Sequence, residues 1–293
     1  MKISVVTPNF NGGELLERTL KSVISQDYRN VEHIVMDGGS TDESLQIIER
    51  YRENLARVVS EKDNGQYDAI GKGFTMATGD ILCWLNSDDI YFPWTMRVVA
   101  RLFADFPQVD WIMGVRCELR NGAVQGISNV SPFPRDVIRS GAFHPRGLGC
   151  IMQEGCFWRR SLYEKAGGIS VNWPVAGDYE LWIRFAEHAD LVVTTALLGG
   201  FNYTDKNRSL LDAQSWQEKE VSAIRNRIPA PRRRMGDRLI QRKKFAQSFL
   251  FGKPRLRRYL QSWLCLTMHR GFVLGYDARA DRYVLHRPQF SLA

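Results

Sequence analysis

Through its first third the chain alternates short apolar runs with stretches of helical periodicity, and each apolar run ends in a polar loop. Ile3 to Thr7 reads as a buried strand. Glu14 to Ser25 follows with Leu15, Leu16, Leu20, Val23 and Ile24 at helical spacing. Val31 to Met36, Arg57 to Ser60 and Ile81 to Leu85 read as three further strands. Between them, Ser40-Thr41-Asp42-Glu43 has the form of a capping box that opens a helix to about Arg52. Gln66 to Ala77 is a second intervening helix, and Pro93 opens another that runs to about Asp105. Strands joined by helical crossovers imply a mainly parallel sheet covered on both faces. Right-handed crossovers bring the strand C-terminal ends to one edge, where sheets of this kind bind ligands.

The remainder reads differently. Asp110 to Pro134 is strand-like, with Asn121-Gly122 as a hairpin turn. Asp178 to His188 is an amphipathic helix with Leu181, Trp182 and Phe185 inward. Pro229-Ala230-Pro231 reads as a linker, and the charge changes just beyond it. From Pro231 onward there are twelve Arg and three Lys against three Asp, so this stretch holds +12 and the rest −4 of a total of +8. Apolar and aromatic residues interleave with the basic clusters over residues 232–266, a mixture suited to an anionic membrane surface or to an ordinary helical subdomain. Nucleic acid is not the expected partner. No apolar stretch is long enough for a transmembrane helix, and the N-terminus lacks a signal-peptide pattern. The expected location is the cytoplasm, with peripheral contact on the inner face of the cell membrane. Five cysteines without a Cys-x-x-Cys pair make neither a disulfide framework nor a zinc site.

The strand ends carry the chemistry. The first ends in Thr7-Pro8-Asn9 and the second in Asp37-Gly38-Gly39-Ser40. Glu61-Lys62-Asp63-Asn64-Gly65-Gln66-Tyr67-Asp68 follows the third, and Asn86-Ser87-Asp88-Asp89 the fourth. Four converging loops each bear Asp or Asn. Crowded carboxylates repel unless a cation neutralises them, so Asp88-Asp89 is a plausible anchor for Mg²⁺ or Mn²⁺ and, with it, a phosphate ester. Neither G-x-G-x-x-G nor G-x-x-x-x-G-K-[ST] is present, which argues against Rossmann dinucleotide and Walker-type binding.

This ordered set resembles the family 2 glycosyltransferases. The segments are Val5-Val6-Thr7-Pro8-Asn9-Phe10-Asn11, Ile34 to Asp42, Glu61 to Gly65, Ala77-Thr78-Gly79-Asp80 and Leu85 to Asp89, with a weaker match through Gly155 to Arg160 and Gly177 to Trp182. The resemblance implies a GT-A fold, a nucleoside-diphosphate-sugar donor and a divalent metal. It implies that Thr7, Pro8 and Asn9 line the nucleotide pocket and that Asp37 hydrogen-bonds the base. Gly65 lets the backbone pass close to the nucleotide, Gln66 and Asp68 face the donor, Asn86 and Asp88 lie by the nucleotide, and Asp89 ligates the metal. Asp178 matches the catalytic Asp of the family's Glu-Asp pair, with Gly177 where the Glu is expected; read alone, Asp178 serves equally as a helix cap. Ile70 stands where the family often has a basic residue, which leaves Lys72 as a substitute. The loop Asn202 to Arg208, where many members carry a His, contains none, which leaves Lys206 or Arg208 for the diphosphate. Glu154 and Trp158 are candidates on the acceptor side, and Trp158 and Trp173 suit either sugar stacking or core packing.

The expected architecture is an α/β GT-A domain over residues 1–228, with a nucleotide-sugar-binding half at 1–105 and an acceptor half at 106–228. A basic, mostly helical region follows at 229–293. The expected function is inverting, metal-dependent sugar transfer to a glycan acceptor, lipid-linked, in cell-envelope or extracellular polysaccharide synthesis. The alternatives are a nucleotide-sugar-binding scaffold without turnover and a nucleotidyltransferase.

Overall fold

A computed structural model describes residues 1–120, 122–204, 213–249 and 271–287. Its first third is four parallel strands, β1 (Ile3–Asn9), β2 (Val31–Asp37), β3 (Arg57–Ser60) and β4 (Ile81–Trp84), in the spatial order β3-β2-β1-β4. The crossovers are α1 (Gly13–Ile24), α2 (Ser44–Arg50) and α3 (Gln66–Met76). Beyond β4 come β5 (Ile90–Tyr91), α4 (Thr95–Asp105), β6 (Trp111–Met113), β7 (Cys117–Arg120), β8 (Ala123–Ile127), α5 (Arg135–Arg139), β9 (Cys156–Arg159), α6 (Arg160–Lys165) and α7 (Gly177–His188). The chain continues with β10 (Leu191–Thr194), β11 (Gly199–Tyr203), α8 (Ala213–Arg227), α9 (Ala230–Phe249), β12 (Phe272–Asp277) and β13 (Arg282–His286).

The central sheet has nine strands in the order β13-β12-β10-β6-β9-β4-β1-β2-β3. β9 runs antiparallel to both β4 and β6 and so joins the two parallel halves. A smaller sheet, β5-β11-β7-β8, stands beside it. Strands buried on both faces read as apolar runs rather than alternating ones, as β4 and most of β1 do, while β2 also buries Glu32 and His33. One face packs Trp84, Trp111 and Trp158 against Trp182 and Phe185 of α7 and Phe74 of α3. The other face packs Ile3, Val5 and Cys83 with Met96, Val99 and Phe103 of α4, and α1 and α2 share a cluster with Val35.

Two local expectations need correction. Ser40 does not cap α2; its hydroxyl donates to Asp37 Oδ1, while Ser40 Oγ itself accepts from Asn9 Nδ2 and from the Asn11 amide. The helix starts only at Ser44, because the Ser40 side chain is committed to the sheet edge. Nor is Pro229 a domain boundary. It lies between α8 and α9, and Leu239 and Ile240 of α9 enter the main core. α9 is also tied to the body through Arg232–Glu187, Arg225–Asp237 and a 2.9 Å bond from Lys243 Nζ to the Gly147 carbonyl. The helical expectation is met over Ala230–Phe249, whereas β12 and β13 add a hairpin that extends the central sheet beside β10.

Candidate active site

The strand ends line up by register. Asn9, Asp37 and Ser60 occupy one row across β1, β2 and β3. Asp37 sits at the centre, 2% exposed. Its Oδ1 accepts from Asn9 Nδ2 at 2.8 Å and Ser40 Oγ at 2.5 Å. Its Oδ2 accepts from the Ser40 and Gly39 amides and from Ser60 Oγ. Burial raises its carboxyl, but these donors outweigh burial and hold it below the ordinary range. Asp37 therefore locks three loops together; with both oxygens engaged, it organises the edge rather than offering itself to a base. Thr7 and Pro8 are buried too, with Thr7 Oγ1 2.9 Å from His33 Nε2. Thr7, Pro8 and Asn9, expected to line the nucleotide pocket, are buried at this edge.

What reaches solvent here is Phe10, 65% exposed. Asn11 follows in the left-handed region at φ 53°, a conformation Asn tolerates. Its Oδ1 accepts the Thr41 amide and its own amide donates to Ser40 Oγ, so the turn presenting Phe10 is pinned at both ends. The residue lies inside the first motif, but only its exposure singles it out.

The loop before α3 shows a second arrangement. Gly65 has φ 108°, which an L side chain rarely adopts, and open space surrounds it. Gln66 Nε2 donates to Asn86 Oδ1 at 2.6 Å. The next residue, Tyr67, donates from its hydroxyl to Asp178 Oδ1 at 3.2 Å. One turn of α3 thus ties the acidic loop after β4 to the start of α7. Asp68, expected to face the donor, folds back instead: its Oδ2 accepts the Asn64 amide and pairs with Lys72 at 3.3 Å. Lys72 also pairs with Glu61, and Ile70 is buried, so Lys72 braces this loop.

The two adjacent carboxylates differ. Asp89 is 1% exposed; its Oδ1 accepts the Asn202 amide at 2.9 Å, and Asn86 Nδ2 lies 3.4 Å from Oδ2. Asp89 thus faces inward, with Oδ1 committed to the Asn202 amide. Asp88 is partly exposed. Glu154, 3% exposed, lies behind them, with Oε1 lacking a hydrogen-bond partner. Burial pushes both Asp89 and Glu154 upward, and the charge of Asp88 adds to the shift in each. Glu154 also feels Asp178, so the acidic loop and Asp178 belong to one electrostatic site. Buried this deeply, Glu154 does not contact an acceptor.

Asp178 lies in the first turn of α7, partly buried. Its Oδ1 accepts the Tyr179 amide at 2.7 Å and the Tyr67 hydroxyl. Burial pushes its carboxyl above the ordinary value, while those two bonds pull the other way. The helix cap is Ala176, without a side-chain bond, so Asp178 is not the cap residue. Trp158 is a correction: it is fully buried, edge-on to Trp84 and Trp182. Trp173 is likewise buried beneath Arg227. Their size and hydrophobicity are better satisfied in the core than at a sugar site. Lys206 and Arg208 lie outside the described residues.

A mainly parallel sheet with helices on both faces, bearing acidic loops at its C-terminal edge, is the architecture of the GT-A glycosyltransferases. The chain belongs to glycosyl transferase family 2, whose family model matches residues 4–164. It is 30% identical over 239 residues to an uncharacterized glycosyltransferase of Mycobacterium tuberculosis, spanning 80% of this chain and 83% of that one. A PGL/p-HBAD biosynthesis glycosyltransferase of Mycobacterium bovis is 28% identical over 197 residues, spanning 64% of this chain and 71% of that one. Among solved structures, S. aureus TarS 1–349 in complex with UDP-GlcNAc superposes with a TM-score of 0.63 at 15% identity, over 92% of this chain and 82% of that one. The Pyrobaculum calidifontis mannosyltransferase in complex with GDP-Man and Mn²⁺ gives 0.54 at 19% identity, over 92% and 70%.

Proposed function

We propose that this glycosyltransferase moves a sugar from a nucleoside-diphosphate donor to a glycan hydroxyl with inversion, using a divalent metal. The observation that carries the reading is the tie through α3. Consecutive residues Gln66 and Tyr67 hold Asn86 of the acidic loop and Asp178. A donor bound at the first is thereby within reach of a carboxylate at the second. TarS with UDP-GlcNAc and the mannosyltransferase with GDP-Man and Mn²⁺ support the donor class and the metal.

The residues present fit Mg²⁺ or Mn²⁺ in one way. Among the described residues no group of three or more His, Cys, Asp or Glu side chains could close round an ion. Mg²⁺ commonly uses one or two carboxylates and completes its shell with substrate phosphate and water. Asp88, with Asp89 beside it, supplies the carboxylates for that role; the upward shift that burial and the Asp88 charge give Asp89 is one that a bound cation reverses. The metal, when bound, supplies Lewis-acid stabilisation of the diphosphate leaving group.

The protein's own part follows. Asp37 keeps the edge rigid, and Phe10 offers an apolar face on which the base stacks. Asp178 receives the proton of the acceptor hydroxyl as its oxygen attacks the anomeric carbon. The Tyr67 and Tyr179 bonds both go to Oδ1, which leaves Oδ2 for the hydroxyl. A single in-line displacement inverts the anomeric centre.

The acceptor we favour is a lipid-linked glycan at the cytoplasmic membrane face. α9 exposes Arg234 and Arg238, with Arg242 and Phe245 one and two turns further on, Phe245 being 62% exposed. No helix among the described residues is long and apolar enough to cross a membrane. A basic face with an aromatic residue suits reversible adsorption to anionic lipid. The rest of the expected membrane segment, 250–266, lies outside the described residues. Sedimentation with phosphatidylglycerol vesicles should occur at low salt and be lost at high salt; a protein that stays in the supernatant at low salt contradicts the docking.

The central test is release of nucleoside diphosphate across UDP-, GDP- and dTDP-sugars with Mn²⁺, Mg²⁺ or chelator. Release from one donor should need the metal. Asp178→Asn should lower turnover by about 10²–10⁴-fold with donor binding retained. Unchanged turnover in that variant removes Asp178 from the mechanism.

A further inference from the structure

The corner that carries Asp178 is not built from its own segment. Helix starts leave backbone amides without intrahelical partners. Here the Val175 and Ala176 amides donate to Glu220 Oε2, at 3.0 and 2.9 Å. Glu220 belongs to α8, 42 residues beyond Asp178. The local chain has no room for a carboxylate of its own beside Asp178: a Cβ on Gly177 would lie 2.8 Å from the ring of Tyr67, the residue that bonds Asp178. Tyr67 therefore excludes a side chain at 177, and the anchoring acid arrives from another helix.

α8 is firmly seated there. Val221 and Ile224 pack with Trp173, Ala176 and Tyr179, and the Arg227 guanidinium lies 4.6 Å over the Trp173 ring. Glu220 adds negative charge that both Asp178 and Tyr67 feel. The same carboxylate thus fixes the backbone just before Asp178 and biases Asp178 electrostatically.

We propose that Glu220 is a positioning residue for sugar transfer: from α8 it fixes the turn that aims Asp178 and places a second negative charge beside it. This rests on the reading of Asp178 as general base. It makes α8 part of the active site although it lies beyond the matched family region, 4–164.

Glu220→Gln keeps an oxygen that can accept both amides and removes the charge, whereas Glu220→Ala removes both. A base must be ionised, so turnover rises with pH through the pKa of Asp178. Loss of a neighbouring negative charge makes Asp178 ionise more readily. The acidic limb of kcat/KM in Glu220→Gln should therefore move to lower pH by roughly half a unit, with the melting temperature kept. Glu220→Ala should lose about tenfold or more in kcat with donor KM little changed. Asp178 can also be titrated without any donor, by ¹³C-carboxyl NMR of the full chain, with Asp178→Asn assigning the signal. A lower midpoint in Glu220→Gln is the expected result. An identical midpoint in wild type and Glu220→Gln, or wild-type kcat in Glu220→Ala, overturns the proposal. If Asp178→Asn is inactive while both Glu220 variants behave as wild type, the role of Glu220 falls and that of Asp178 stands. If Asp178→Asn turns over normally, the general-base reading itself has failed.

Discussion

At the scale of the residue, the recognisable motifs separate into a buried frame and an exposed rim. Ala77-Thr78-Gly79-Asp80 belongs to the frame. Glu32 Oε2 accepts the Thr78 amide at 2.7 Å, and the Gly79 amide donates to Ser4 Oγ at 2.8 Å. A Cβ on Gly79 would lie 2.6 Å from the Ser4 amide nitrogen, a backbone atom that cannot swing away. Gly79→Ala should therefore destabilise the fold by about 2 kcal/mol or more, read as a lowered denaturation midpoint. The spelling of this motif is visible in the sequence; the demand for glycine is not, because Ser4 is 75 residues away. The same holds for Asp37, whose five donors come from four different positions in three loops. Asp37→Asn replaces an acceptor with an amide that must aim hydrogens at donors. Weakened donor binding, measured by calorimetry with the active nucleotide sugar, is the expected outcome.

At the scale of the element, hydrophobic periodicity marks helices and strands well where the chain meets one local partner. The first four strands and α1, α3 and α7 lie within a residue or two of where the pattern puts them. It failed where a side chain had a distant competitor: Ser40 would cap a helix in isolation, but Asp37 and Asn9 claim its oxygen. The charge change at Pro229 likewise pointed to a separate basic region, but α9 belongs to the body. Leu239 and Ile240 are buried against the body, two apolar residues among arginines and lysines. Leu239→Ala should cost about 2–3 kcal/mol, at the low end of large-to-small core changes, and lower the melting temperature of the whole chain in one transition. A separate early transition for α9 would show instead that it folds apart from the body.

At the scale of the molecule, the sheet carries a built-in sensitivity to acid at the end opposite the site. Burial would raise Glu32, but bonds from Ser4, Thr78 and Lys2 outweigh it and hold the carboxyl at about 2, against an ordinary 4.5. Its contribution, about 3 kcal/mol, is fully present above pH 4.5 and lost as pH falls toward 2. Burial pushes the neighbouring His33 down to about 3 from 6.5, so the unfolded chain takes up this proton first and stability falls as pH drops below 6.5. Urea midpoints should thus decline from pH 6.5 downward; His33→Gln should flatten the upper part and Glu32→Gln the lower. The sequence by itself determined the parallel α/β architecture, the sheet edge where the acidic loops gather and the family, because apolar periodicity and ordered loop motifs are local properties. Only the tertiary structure decided which motif residues surface and which are buried, since burial depends on partners far away in the chain. It alone seated the basic tail against the core and extended the sheet with its hairpin. It alone brought Glu220 to the turn before Asp178, because a contact between two helices leaves no periodic mark on either one.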